Sequence, residues 1–197
     1  MHYAVILITK TILDNNKIKK TIQKFNEEDL FREDEDGKCL AEKLSREEYI
    51  KRYPFSWDSF TIGGRYGGHV KYKMQDDDYA YYGCNLNGKT IKSGLFDNMK
   101  KHYKDFFGEF NETDCVRYIG FNDEFIYCDG AEISKIENID KFKDFGCYVY
   151  DAINDVAYGR ELWNGNEWIE NNKYPEQLKT IIENNKNAFL TVLDIHN

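Results

Sequence analysis

The chain has 197 residues, with 27 basic and 35 acidic side chains and a formal net charge of -8. This balance excludes non-specific nucleic-acid binding, which needs a surplus of phosphate-neutralising lysine and arginine. The apolar start, MHYAVILITK, is too short for a membrane span and lacks the basic opening of a secretory signal.

In chain order, Tyr3 to Thr9 is apolar on both faces, which is the pattern of a central strand. Asn15 or Asn16 caps a helix from Lys17 to about Phe25, with Ile18, Ile22 and Phe25 on one face. The acidic run from Glu27 to Lys38 reads as an exposed, mobile loop. Ser45 and Glu48 form an S-x-x-E capping box for a short helix that Pro54 ends. His69 to Met74 alternates like a strand, Tyr79 to Cys84 is a further one, and Leu95, Phe96, Met99, Tyr103 and Phe106 share one side of a helix from Ser93 to near Gly108.

Val116 to Phe121, Glu124 to Cys128 and Cys147 to Asp151 are short strands. Leu162 to Ile169 places Asn164, Gly165 and Asn166 between two tryptophan-bearing arms, a hairpin signal. Pro175 opens a helix through Leu178, Ile181 and Ile182, and Ala188 to Ile195 is a last apolar strand. These elements predict an α+β fold in one domain over residues 1–197: a single mixed or mostly antiparallel sheet, its N- and C-terminal strands central and adjacent, with helices packed on it. Five cysteines, odd in number and without a C-x-x-C pair, predict reduced, mostly buried thiols and a cytosolic protein.

The richest stretch is SWDSFTIGGRYGG at residues 56–68. Two Gly-Gly pairs flank Arg65 and Tyr66, so a sharp turn here would present bare N–H groups beside a guanidinium, the chemistry of anion binding. The string has neither Walker A nor dinucleotide-fingerprint spacing. On this reading Gly63, Gly64 and Arg65 hold a phosphate and Trp57 or Tyr66 stacks a base. Asp194 and His196, two apart on one strand face, supply a second feature: His196 acts as general acid or base, oriented by Asp194 or Asp58. The structural alternative packs Trp57 in the core, has Asp58 cap the turn or pair with Arg65, and uses Asp194 and His196 only to tie down the C-terminus. His2, His69 and His102 are scattered, no residue is assigned as a metal ligand, and no cofactor is called for.

In YAVILIT at 3–9, WDSFTIGGRYGG at 57–68 and LTVLDIH at 190–196, the chain resembles a family of uncharacterised phage and prophage proteins. That family is marked by a W-D-x-aromatic-x-I/L-G-G-R-aromatic-x-G motif and a closing L-T-V-x-D-x-H strand. The resemblance implies a shared fold, a mobile-element origin and the cytoplasm of a bacterial host; it carries over no catalytic residue. The expected protein is a phage-type accessory of the counter-defence class, enzyme or binding protein, whose partner is a small phosphorylated nucleotide-like ligand. The alternative is an acidic inhibitor of a host nuclease or defence complex, similar to anti-CRISPR proteins, in which the glycine turn is scaffold.

Overall fold

Two strands with almost no polar face set the architecture. A computed structural model describes residues 1–66, 70–72, 120–121, 126–163 and 167–197. The expected elements between 73 and 119, including the strand at 79–84 and the helix from Ser93, lie outside the described residues.

Strand β1 (His2–Thr9) buries Ala4 through Ile8, and β11 (Phe189–His196) buries Leu190 through Ile195. They pair antiparallel over their full length, from His2↔His196 to Thr9↔Phe189. The terminal strands are thus neighbours in the middle of a mixed sheet, and the fold is α+β. Beside β1 runs β7 (Tyr148–Asp151), parallel, followed by its hairpin partner β8 (Val156–Gly159). Beyond β11, one edge is shared: β2 (Ser59–Ile62) pairs with its C-terminal half and β6 (Gly130–Glu132) with its N-terminal part.

Two smaller ladders stand apart from this path. One is the tryptophan hairpin β9 (Glu161–Trp163) with β10 (Trp168–Glu170), and the other joins β3 (Val70–Tyr72), β5 (Ile126–Cys128) and β4 (Gly120–Phe121). The expectation of a single sheet therefore covers the six-stranded sheet alone.

Alternation along the central strands sends side chains to two cores. Val5, Leu7, Leu193 and Ile195 pack with Ile18 of α1 (Asn15–Thr21), Ile22, Phe25, Phe55 and Trp57. On the other face Ile6, Ile8, Leu190 and Val192 meet Phe142 of α5 (Phe142–Phe145) and Tyr174, Leu178 and Ile181 of α6 (Tyr174–Asn184). Leu178 and Ile181 recur at helical spacing after Tyr174, so one apolar stripe covers the sheet. Each large side chain buried this way stabilises the fold by roughly 1.5–3 kcal/mol.

Local chemistry corrects several boundaries. The first helix is capped by Asp14, whose Oδ1 accepts from the Lys17 N–H at 2.8 Å, in place of Asn15 or Asn16. It ends at Thr21, and Gln23–Phe25 continues as a 3-10 turn. The acidic run opens as a helical turn, α2 (Glu27–Leu30), because Asn26 caps it and Leu30 has a buried place to go; residues 31–38 are all exposed. After α3 (Leu40–Lys43), the Ser45/Glu48 capping box starts α4 (Arg46–Arg52) as the sequence predicts.

Candidate functional site

The second core runs out at one end of the sheet. On β11 the row Leu190, Val192 continues as Asp194 and His196, and on β1 the row Ile8, Ile6, Ala4 ends at His2. Register does the rest. His2 lies opposite His196, and Ser59 and Thr61 of β2 lie opposite His196 and Asp194. The sheet end therefore collects polar groups from three strands.

Two carboxylate–imidazole pairs result. The His2 Nδ1 is 2.9 Å from Asp194 Oδ1, and the His196 Nδ1 is 2.9 Å from Asp58 Oδ1 and 3.0 Å from Oδ2. With each Nδ1–H donating to its carboxylate, each Nε2 is the nitrogen that faces outward chemistry. No second hydrogen bond engages either ring among the described residues. The two rings meet edge to face with centroids 4.8 Å apart. His196 holds the Asp58 carboxyl below its ordinary range, with Ser59 Oγ–H adding a 2.9 Å hydrogen bond to the same oxygen. The carboxylates differ in setting: Asp194 is buried and Asp58 is exposed.

The glycine turn explains why Asp194 tolerates burial. Gly63 and Gly64 have φ of +70° and +52°, and Arg65 N–H donates to Asp194 Oδ2 at 2.9 Å. With His2 on its other oxygen, this carboxylate has a donor for each acceptor, which offsets its desolvation. Both glycines also make room for acids: a Cβ on Gly64 would fall 2.5 Å from Asp194 Cβ, and one on Gly63 would fall 2.5 Å from either oxygen of buried Asp129. The Gly63 N–H itself goes to the Val192 carbonyl at 2.9 Å. Of the amides expected to hold a phosphate, that of Gly63 is taken by this bond. The Gly63 and Arg65 amides bind within the chain, and the anion on the turn is the protein's own Asp194.

The remaining residues divide by face. Trp57 is buried in the opposite core, its Nε1–H donating to the Ile22 carbonyl at 2.8 Å and its ring edge-on to Phe60. It therefore does not stack a ligand at this site. Tyr66 is half-buried beside the site, and its hydroxyl donates to the His2 carbonyl at 3.1 Å; burial raises the phenol's pKa. The Arg65 side chain is exposed and has no ion pair among the described residues, so Asp58 pairs with His196 and not with Arg65. Gly67, Gly68 and His69 lie outside the described residues.

His2 is the residue that the sequence reading missed. The signal was present: if the two terminal strands are antiparallel neighbours, a histidine one residue before the first apolar run falls opposite a histidine just after the last. Among the described residues no group of three or more His, Cys, Asp or Glu is placed to hold a metal ion, and no helix is long and apolar enough to cross a membrane. Comparison with protein-family models, with curated proteins and with solved structures gives no match.

Proposed function

We propose that the sheet end is a general acid–base site for a small phosphorylated, nucleotide-like ligand, in a protein that binds and hydrolyses it. One observation carries the reading: two imidazoles in ring contact, each anchored at Nδ1 by its own carboxylate. Such a pair suits a reaction in which one Nε2 takes a proton from the attacking oxygen while the other gives one to the leaving oxygen. The carboxylates fix the ring orientation, and the exposed Arg65 side chain, whose own N–H binds Asp194, supplies the cation that a phosphate oxygen needs. Asp194 and Asp58 are positioning residues in this scheme, and His2 and His196 carry the protons.

The test is turnover of a panel of cyclic and linear nucleotides and of an activated aryl phosphodiester, with thermal shift on the same panel. Single His2→Ala and His196→Ala variants each lose turnover, and the double variant is no worse than the lower single one, because the pair acts as a unit. Wild-type protein that neither cleaves nor is stabilised by any of these compounds refutes the proposal.

A second reading, an acidic protein that occupies a basic groove of a partner, is favoured by residues 31–38. All of them are exposed, Phe31 is 52% accessible, and Glu33 to Asp36 are acidic. It predicts capture of a basic protein that weakens with salt and survives His196→Ala. The phage-type, counter-defence setting rests on the sequence resemblance.

A further inference from the structure

Two residues from the double-histidine site, along the sheet, a different group is set up for chemistry. Cys147 stands at the head of β7, its N–H donating to the Ala4 carbonyl at 3.1 Å and its carbonyl accepting from Arg160 N–H at 2.7 Å. It is half-buried and unbridged. A thiolate there lies within Coulombic reach of the Tyr66, Tyr148 and Tyr174 phenols. Arg160 is its cross-strand neighbour by continuation of the β7–β8 register, and its charge also reaches Tyr174.

The second observation is independent. Tyr174 is fully buried, and its hydroxyl is the one buried side-chain polar atom without a hydrogen-bond partner among the described residues. That hydroxyl faces the backbone just before Cys147: a Cβ on Gly146 would fall 2.9 Å from it. Burial raises the phenol's pKa far above its ordinary value, so the group stays a donor. A buried donor without an acceptor is costly, and an oxygen added to the sulfur of Cys147, the residue after the glycine that this hydroxyl faces, would supply one.

We propose that Cys147 is an oxidation site for a small hydroperoxide and that Tyr174 holds the sulfenate product. The thiol releases its proton to solvent, and the sulfur attacks one peroxide oxygen. The S–O bond forms as the O–O bond breaks, sulfur giving up two electrons, and the departing oxygen takes a proton from solvent to leave as water or an alcohol. Tyr66 ties this position to the double-histidine site, because the phenol near Cys147 also holds the His2 carbonyl.

Hydrogen peroxide at graded dose, followed by a sulfenate-specific dione and peptide mass spectrometry, tests the proposal on the full chain, with buried Cys39 as internal reference. The expected result is adduct at Cys147 ahead of Cys39, lost in Cys147→Ser. In Tyr174→Phe, which removes one oxygen from a filled site, the sulfenate decays several-fold faster to higher oxides. Labelling at Cys39 before Cys147 in the folded protein overturns the proposal. An unchanged sulfenate lifetime in Tyr174→Phe overturns the role given to the phenol.

Discussion

Gly64 and Asp194 come from distant parts of the chain, yet a single methyl group on Gly64 would lie 2.5 Å from Asp194 Cβ. The glycine is required twice, by this approach and by its φ of +52°. Gly64→Ala is expected to destabilise the protein by about 3 kcal/mol, combining left-handed strain with an overpacked contact. Gly37→Ala, at φ +70° with open space around it, should cost only about 1 kcal/mol. Urea unfolding of both variants checks the contrast, and equal losses would show that the contact with Asp194 adds nothing.

Trp57→Phe separates packing from binding. The indole N–H donates to the Ile22 carbonyl on the face away from the histidines, so its loss leaves that carbonyl with the Phe25 N–H alone and opens a gap beside Phe60. Stability should fall by about 2 kcal/mol, mostly from the gap. Nucleotide affinity of the fraction that remains folded should not change; an affinity drop without a stability drop would return Trp57 to the site.

The fold was legible wherever a pattern was local or absolute. The unbroken apolar run at Ala4–Ile8 and the mostly apolar one at Leu190–Ile195 announce central strands, and the Ser45/Glu48 box and Pro175 mark helix starts by local backbone chemistry. Ser59–Ile62 was hidden, because four residues of mixed polarity become a strand only when β11 offers them an edge. The site was half legible for the same reason. Asp58, Asp194 and His196 stand out as polar groups beside apolar runs, but their pairing depends on register: Asp194 takes His2, and Asp58 takes His196. On spacing alone the glycine turn invites an external anion; only the fold shows that the Asp194 carboxylate already sits on it.

The Asp58–His196 pair predicts an acid-sensitive contribution to stability. Hydrogen bonding to His196 lowers the Asp58 carboxyl below 3.8 in the folded chain, so its contribution is present above that value and is lost as pH falls through the lower folded one. Thermal denaturation from about pH 6 down to about pH 2 should show the wild type losing more than Asp58→Asn over the acid end. Parallel curves would remove this linkage.

At the alkaline end the ring-rich core decides. Burial, with Cys147 and Glu161 nearby, pushes Tyr148 from 10.0 up to about 12, and burial raises Tyr3, Tyr150 and Tyr174 further still. These phenols favour folding below 10.0, and that contribution fades as pH climbs from 10.0 towards the folded values. Phenolate absorbance should therefore rise in step with unfolding, and Tyr148→Phe should shift the alkaline midpoint upward. Full ionisation of the core phenols in a chain that keeps its far-ultraviolet spectrum would contradict this account.

Tyr174→Phe should raise stability by about 1 kcal/mol, because it removes a buried hydroxyl that lacks an acceptor. Chemical denaturation checks the sign; a loss would mean that a bridging partner satisfies the group in solution.

The pairing of β1 with β11 has a consequence for biogenesis. During synthesis the first strand leaves the ribosome long before its neighbour exists, so the middle of the sheet stays open until Phe189–His196 has followed it. A nascent chain stalled before Phe189 would lack both Asp194 and His196 and would leave His2 without its carboxylate. Any chemistry at the sheet end is thus withheld from incomplete products, and an early, sticky strand is what a chaperone would have to shield in the meantime.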